Sequence, residues 1–186
     1  MNQNYLVIGL VVGAVAVVAL MIWSLFRQRR TRSLASRFGP EYDHTVAALG
    51  KRAPAEKELA ARAARVEKLS IHPLTAPERE RFLELWQTTQ THFVDSPLTA
   101  VVEADGLVAE VMRTRGYPVS DFEQRAADVS VDHPLVVEHY RTAHDIALRH
   151  ERRQANTEDL RQAFVHFKAL FSELLEERLV YAEVKE

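Results

Sequence analysis

The sequence predicts an all-α protein: one N-terminal transmembrane helix followed by an up-and-down helical bundle. Three observations predict it. Tyr5 to Phe26 is a 22-residue stretch without a charge. Only four glycines follow it, and no stretch alternates apolar and polar residues as a half-buried strand would. Beyond the apolar run, short segments marked by Pro and Gly separate longer ones with apolar residues at helical spacing.

At ~1.5 Å per residue, the apolar run reaches roughly 33 Å as a helix, enough to cross a hydrocarbon core of about 30 Å. Tyr5 and Trp23 lie near its two ends, where amphipathic rings favour the headgroup level. A cleaved signal peptide would want a basic leader and a small-residue cleavage site; the leader here is Met-Asn-Gln-Asn. Arg27, Arg29, Arg30, Arg32 and Arg37 follow the run with no acid among them. Residues 1–4 are therefore expected outside, 5–26 in the bilayer and 27–38 as a basic juxtamembrane helix. The rest is expected on the cytoplasmic side of an inner (plasma) membrane. Arg27, Arg29, Arg30 and Arg32 are positioned to meet anionic headgroups. Gly9 and Gly13 form a G-x-x-x-G strip that permits a homodimer of spans, although small residues are common in such helices anyway.

Gly39-Pro40 closes the juxtamembrane helix, and residues 39–74 read as a linker and a weakly amphipathic arm. The arm carries a short helix around Tyr42, Val46 and Leu49, then a helix over 55–69 with a thin stripe of Leu59, Ala63 and Val66. That stripe is expected to be solvated or paired with a partner helix. The bundle domain spans 75–180. Thr75 and Glu78 frame a capping box around Pro77, opening a helix to Val94 whose core face is Phe82, Leu85, Trp86, Thr89 and Phe93. Ser96-Pro97 opens the next, which stops at Gly116. Ser120 and Glu123 cap a shorter helix to Ser130. Asp132-His133-Pro134 opens another to Arg153. Asn156 or Thr157 caps the last, to Val180, with Leu160, Ala163, Phe164, Phe167, Leu170, Phe171 and Leu174 on one stripe. Residues 181–186 are a tail.

Beyond Arg37 there are 26 acids against 19 Lys and Arg, a formal charge of −7. An acidic body is a poor nonspecific binder of nucleic acid, so none is expected as a partner. The chain has no cysteine, no phosphate-binding glycine loop, no G-x-S-x-G elbow and no H-E-x-x-H pair. No catalytic residue, cofactor or metal ligand is assigned, and an enzyme is the less favoured reading. Asp105 falls among Leu98, Val101, Val102, Val108 and Met112, so it is expected to be buried against an arginine, histidine or tyrosine hydroxyl from a facing helix. A register-fixing polar staple is the plainer account of it, a ligand site the sharper one. Five of the eight histidines lie between His133 and His166. Their intervals of five and six residues suit no helical metal pair, and His139 and His150 share a face three turns apart. Boundary hydrogen bonding is the plain reading. With Asp105, they would supply a buried polar site for the alternative function, a metal- or ligand-binding or enzymatic bundle.

FGPEYDHTV (Phe38 to Val46), the run from Arg115 to Glu151 containing SVDHPLVVEHYR, and TEDLRQAFVHFKALFSELLE (Thr157 to Glu176) resemble a family of bacterial single-span membrane proteins whose members carry the labels hypothetical or secreted. The resemblance implies an inner-membrane protein and carries over no catalytic residue. The leading expectation is a membrane-anchored cytoplasmic domain that acts as a protein-interaction or scaffold module.

Overall fold

The computed structural model describes the backbone of residues 2–118, 120–151 and 156–176. Eight helices and no strands occur among them: α1 (Asn2–Phe38), α2 (Pro40–Leu49), α3 (Arg52–Val66), α4 (Ala76–Asp95), α5 (Pro97–Thr114), α6 (Phe122–Asp132), α7 (Val137–Glu151) and α8 (Thr157–Glu176). The all-α bundle is thus observed. Among the described residues no helix is long and apolar enough to cross a membrane. The side chains of residues 1–12, Ala14 and Ala16 lie outside them, and with them Tyr5, Gly9 and much of the apolar run. The side chain of His150 and the tail 181–186 also lie outside the described part, as does the expected continuation of α8 to Val180.

The helix boundaries follow local chemistry. Gly39 at φ +48° and Gly50 at φ +68° take left-handed conformations that stop α1 and α2. The Thr75–Glu78 capping box is formed in both directions. Asn156 and Asp159 cap α8 reciprocally, each side chain accepting from the other's backbone N–H. Three starts differ from expectation, the first being α3, which begins at Arg52 rather than Ala55. Asp121, not Ser120, caps α6 by accepting from the Gln124 N–H. Helix α6 also runs on to Asp132, so Asp132-His133-Pro134 ends one helix and α7 begins at Val137. Gly116 is required twice over: its φ is +96°, and a Cβ there would lie 2.4 Å from the Ser70 carbonyl oxygen.

Two cores organise the chain. The larger is built by α4, α5, α7 and α8, with Ala126 and Val129 of α6 at its side. Trp86 stacks between Phe164 and Phe171 with centroids 5.0 and 4.6 Å away, locking α4 onto α8. The smaller core gathers Phe38 of α1, Tyr42 of α2, Leu59 and Val66 of α3, and Val131 of α6. Here the expectation of a solvated or partner-paired arm fails. Leu59 is fully buried and Val66 nearly so, because the arm folds back onto the end of α1 and onto α6. The thin stripe was enough to build a four-helix satellite core once Phe38, Tyr42 and Val131 joined it.

Candidate functional site

Several sets of polar side chains and one surface shared by α1 and α3 are the places where chemistry could reside. The first set centres on Glu41, which is 2% exposed on α2. Its carboxylate accepts from Arg62 of α3 at 2.7 Å and from the Arg141 guanidinium of α7 through both terminal nitrogens. Burying a carboxylate is costly unless it is paired and hydrogen-bonded, and here the partners tie the small core to the large one. Asp128, fully buried on α6, is held the same way by Arg65 at 2.7 and 2.9 Å and by Gln124. Sequence reasoning missed both. Each acid sits on a short helix whose burial depends on what folds over it, and no periodicity signals that.

The second set is the one expected around Asp105. Its carboxylate accepts from the Tyr140 hydroxyl at 3.3 Å and faces the Arg125 guanidinium at 3.7 Å, two of the three partner types foreseen. The side chain is only half-buried, at 30% exposure. The reason is rotation: the core face of α5 centres on Ala100, Ala104, Val108 and Val111, whose small members let α8 approach, while Leu98 and Val102 lie outside. Asp105 therefore sits on the rim of the face, about 90° from its centre. Burial, together with the nearby Asp105 charge, pushes the Tyr140 hydroxyl well above the phenol range, so it remains a neutral donor. His144 stacks on Phe122 at 3.6 Å, and burial lowers its pKa against the pull of Asp105.

His139 does not join Asp105. Its Nδ1 lies 2.8 Å from Nδ1 of His166 on α8, with the rings stacked at 4.9 Å. One imidazole donates and the other accepts, so the pair holds only while at least one ring is neutral. Burial lowers the His166 pKa, and His139 adds to the effect. A third set surrounds Arg115, 2% exposed, which donates to the Leu174 carbonyl at 3.1 Å and lies near His133 and His72. His133 is close to Glu173 at 3.3 Å; burial nevertheless holds its imidazole below the ordinary value. The Tyr117 hydroxyl donates to Asp132 at 2.7 Å. A cavity of about 380 Å³ opens beside Arg115, edged by Arg37, His72 and Asp132. Among the described residues no group of three or more His, Asp and Glu could hold a metal ion.

The surface shared by α1 and α3 is the least expected. Arg27, Arg29, Arg30 and Arg32 are exposed on α1, and Arg27 lies over Trp23 at 5.4 Å. Helix α3 runs beside α1 in the same direction: Glu56 near its start accepts from Thr31 at 2.7 Å, and Leu59 and Val66 meet Phe38 further along. That arrangement brings Lys57 of α3 to a groove of about 700 Å³ shared with Trp23, Phe26, Arg27 and Arg30. The basic collar is therefore built from two helices, and the second contribution was invisible in the linear sequence. Gly13 has nothing within 4 Å of its would-be Cβ and offers an open surface; its expected companion Gly9 lies outside the described side chains. No protein-family model, curated protein or solved structure matches this chain.

Proposed function

We propose that this chain is a single-pass, membrane-anchored helical domain that presents a protein-interaction or scaffold surface in the cytoplasm. The observation that carries the reading is the surface of α1. Val17, Leu20, Ile22, Trp23, Leu25 and Phe26 are each 49–67% exposed, and at ~100° per residue they point to every side of the helix. A helix that is apolar all round is suited to lipid rather than water. The arginines that follow at once favour the cytoplasm for the body. The resemblance to bacterial single-span proteins agrees with an inner-membrane location. Anionic headgroups are then the nearest partners, a second span along the Gly13 side is a further one, and the acidic body disfavours nucleic acid.

Carbonate extraction of membranes, combined with a reporter fused after Glu186, tests the anchor and its orientation. The expected result is a membrane-retained chain whose fused reporter is active only in the cytoplasm. Release by carbonate, or a reporter active outside, would overturn it. The scaffold role is tested by in-cell crosslinking. Leu59 and Val66 are covered, so polar replacements there would unfold the small core rather than uncouple a partner; exposed Val94, Val102 and Leu135 are the positions to vary.

The alternative, a metal- or ligand-binding or enzymatic bundle, draws on the His139–His166 pair. Two imidazoles are fewer protein ligands than metal centres use. Metal analysis of the purified chain decides it: stoichiometric metal lost in His166→Ala would favour this reading over the scaffold.

A further inference from the structure

The groove between α1 and α3 has a composition that neither helix would have alone. At helical spacing, Trp23, Arg27, Arg30, Thr31, Leu34 and Phe38 form one stripe of α1. The lower part of that stripe is buried: Phe38 is fully covered, and Leu34 packs against the small core. The upper part, Trp23 to Arg30, is where α3 stops covering it. Glu56 fixes the opening, since its Oε1 accepts from both Thr31 at 2.7 Å and the Tyr42 hydroxyl at 3.1 Å. The one acid in the groove thus has one carboxylate oxygen engaged by two neutral donors. Lys57, one residue on, is exposed and lines the opposite wall.

The result is a concave site of about 700 Å³ with three cations around it and the apolar rings of Trp23 and Phe26 at one end. Its size lies within the range of small-molecule sites. The apolar end continues into the exposed apolar surface of α1, while the cationic end faces the body. An anionic amphiphile matches this division, with its phosphate among Arg27, Arg30 and Lys57 and its chains along α1. We propose that the groove is a binding site for the headgroup of an anionic phospholipid, and that Lys57 is the residue that distinguishes it from a diffuse basic collar. The inference rests on the membrane-anchored reading. It adds a fixed seat and a headgroup preference, which arginines on a lone helix would not supply.

The test uses the full chain purified in detergent and titrated with phosphatidylglycerol or phosphatidylcholine, with bound lipid counted by native mass spectrometry. Phosphatidylglycerol should be retained in preference to phosphatidylcholine. Lys57→Glu should weaken phosphatidylglycerol retention about five-fold or more, at ~1 kcal/mol per basic residue near the surface. Lys68→Glu, the same charge change on an exposed residue past the other end of α3, should leave retention unchanged. Lys57 is exposed, so the variant is expected to keep its circular dichroism. Equal retention of the two lipids would overturn the proposal. So would losses of the same size in Lys57→Glu and in Arg32→Glu, which lies on the opposite side of α1. Carbonate extraction separates this failure from that of the anchor: a chain that stays in the membrane without headgroup preference loses only the groove, whereas a chain released by carbonate loses both.

Discussion

At the scale of single residues, the deeply buried carboxylates are the points of greatest leverage. Glu41 binds two arginines from different helices at 2% exposure, whereas Glu58 pairs with Arg62 at the surface. Removing one partner of a buried pair leaves the others uncompensated, at a cost of about 3–5 kcal/mol, while an exposed i,i+4 pair contributes less than about 0.5 kcal/mol. Glu41→Gln is therefore expected to lower the denaturation midpoint of the full chain strongly and Glu58→Gln hardly at all; similar small effects in both would contradict the buried-pair account. The histidines set a pH dependence of known sign. Burial is the main cause that holds His133, His144 and His166 below the ordinary value of 6.5. As pH falls through 6.5, the unfolded chain takes up protons that the folded chain refuses, so stability declines from there down to the lowered folded values. Thermal melts should shift to lower temperature between pH 7.5 and pH 5.5, and His166→Asn should flatten part of that slope. A melting temperature that rises on acidification would contradict the assignment.

At the scale of elements, the sequence reading succeeded where the signal is local and failed where it depends on a neighbour. The capping box at Thr75, the stops at Gly39 and Gly116, and the α8 stripe are all written within a few residues, and all are formed. Leu85, Leu98 and Val102 were expected in the core and lie 37%, 38% and 61% exposed. The apolar side of α5 spans more than half its circumference, and only the arrival of α4, α7 and α8 selects which part is covered. The same limit applied to Asp105, whose tyrosine and arginine partners were foreseen but whose place on the rim was not. For α3 the missing information was the partner surface itself. Leu59→Ala now has a definite expectation: a loss of about 2–5 kcal/mol, as for a large core side chain. An arm that was solvated would lose almost nothing, so urea denaturation of this one variant distinguishes the two arrangements.

At the scale of the whole molecule, α1 joins its apolar segment to the body without a break. It is helical from Asn2 to Phe38, and its last turns are part of the small core. Glycine and proline are absent between Gly13 and Gly39, so the connection has neither a hinge nor a swivel. The body is thus phased to the proposed anchor like a key to its shaft. One alanine inserted after Phe26 would turn the apolar segment about 100° relative to the body, and seven would return it to within about 20° of its starting direction. Site-specific crosslinks between the body and a membrane neighbour should vanish with one added residue and reappear with seven. Crosslinks that decline steadily with added length would mean that reach, not angle, governs the contact. For a continuous helix, the compass bearing of every surface on the bundle relative to the apolar segment is set by the residue count between them.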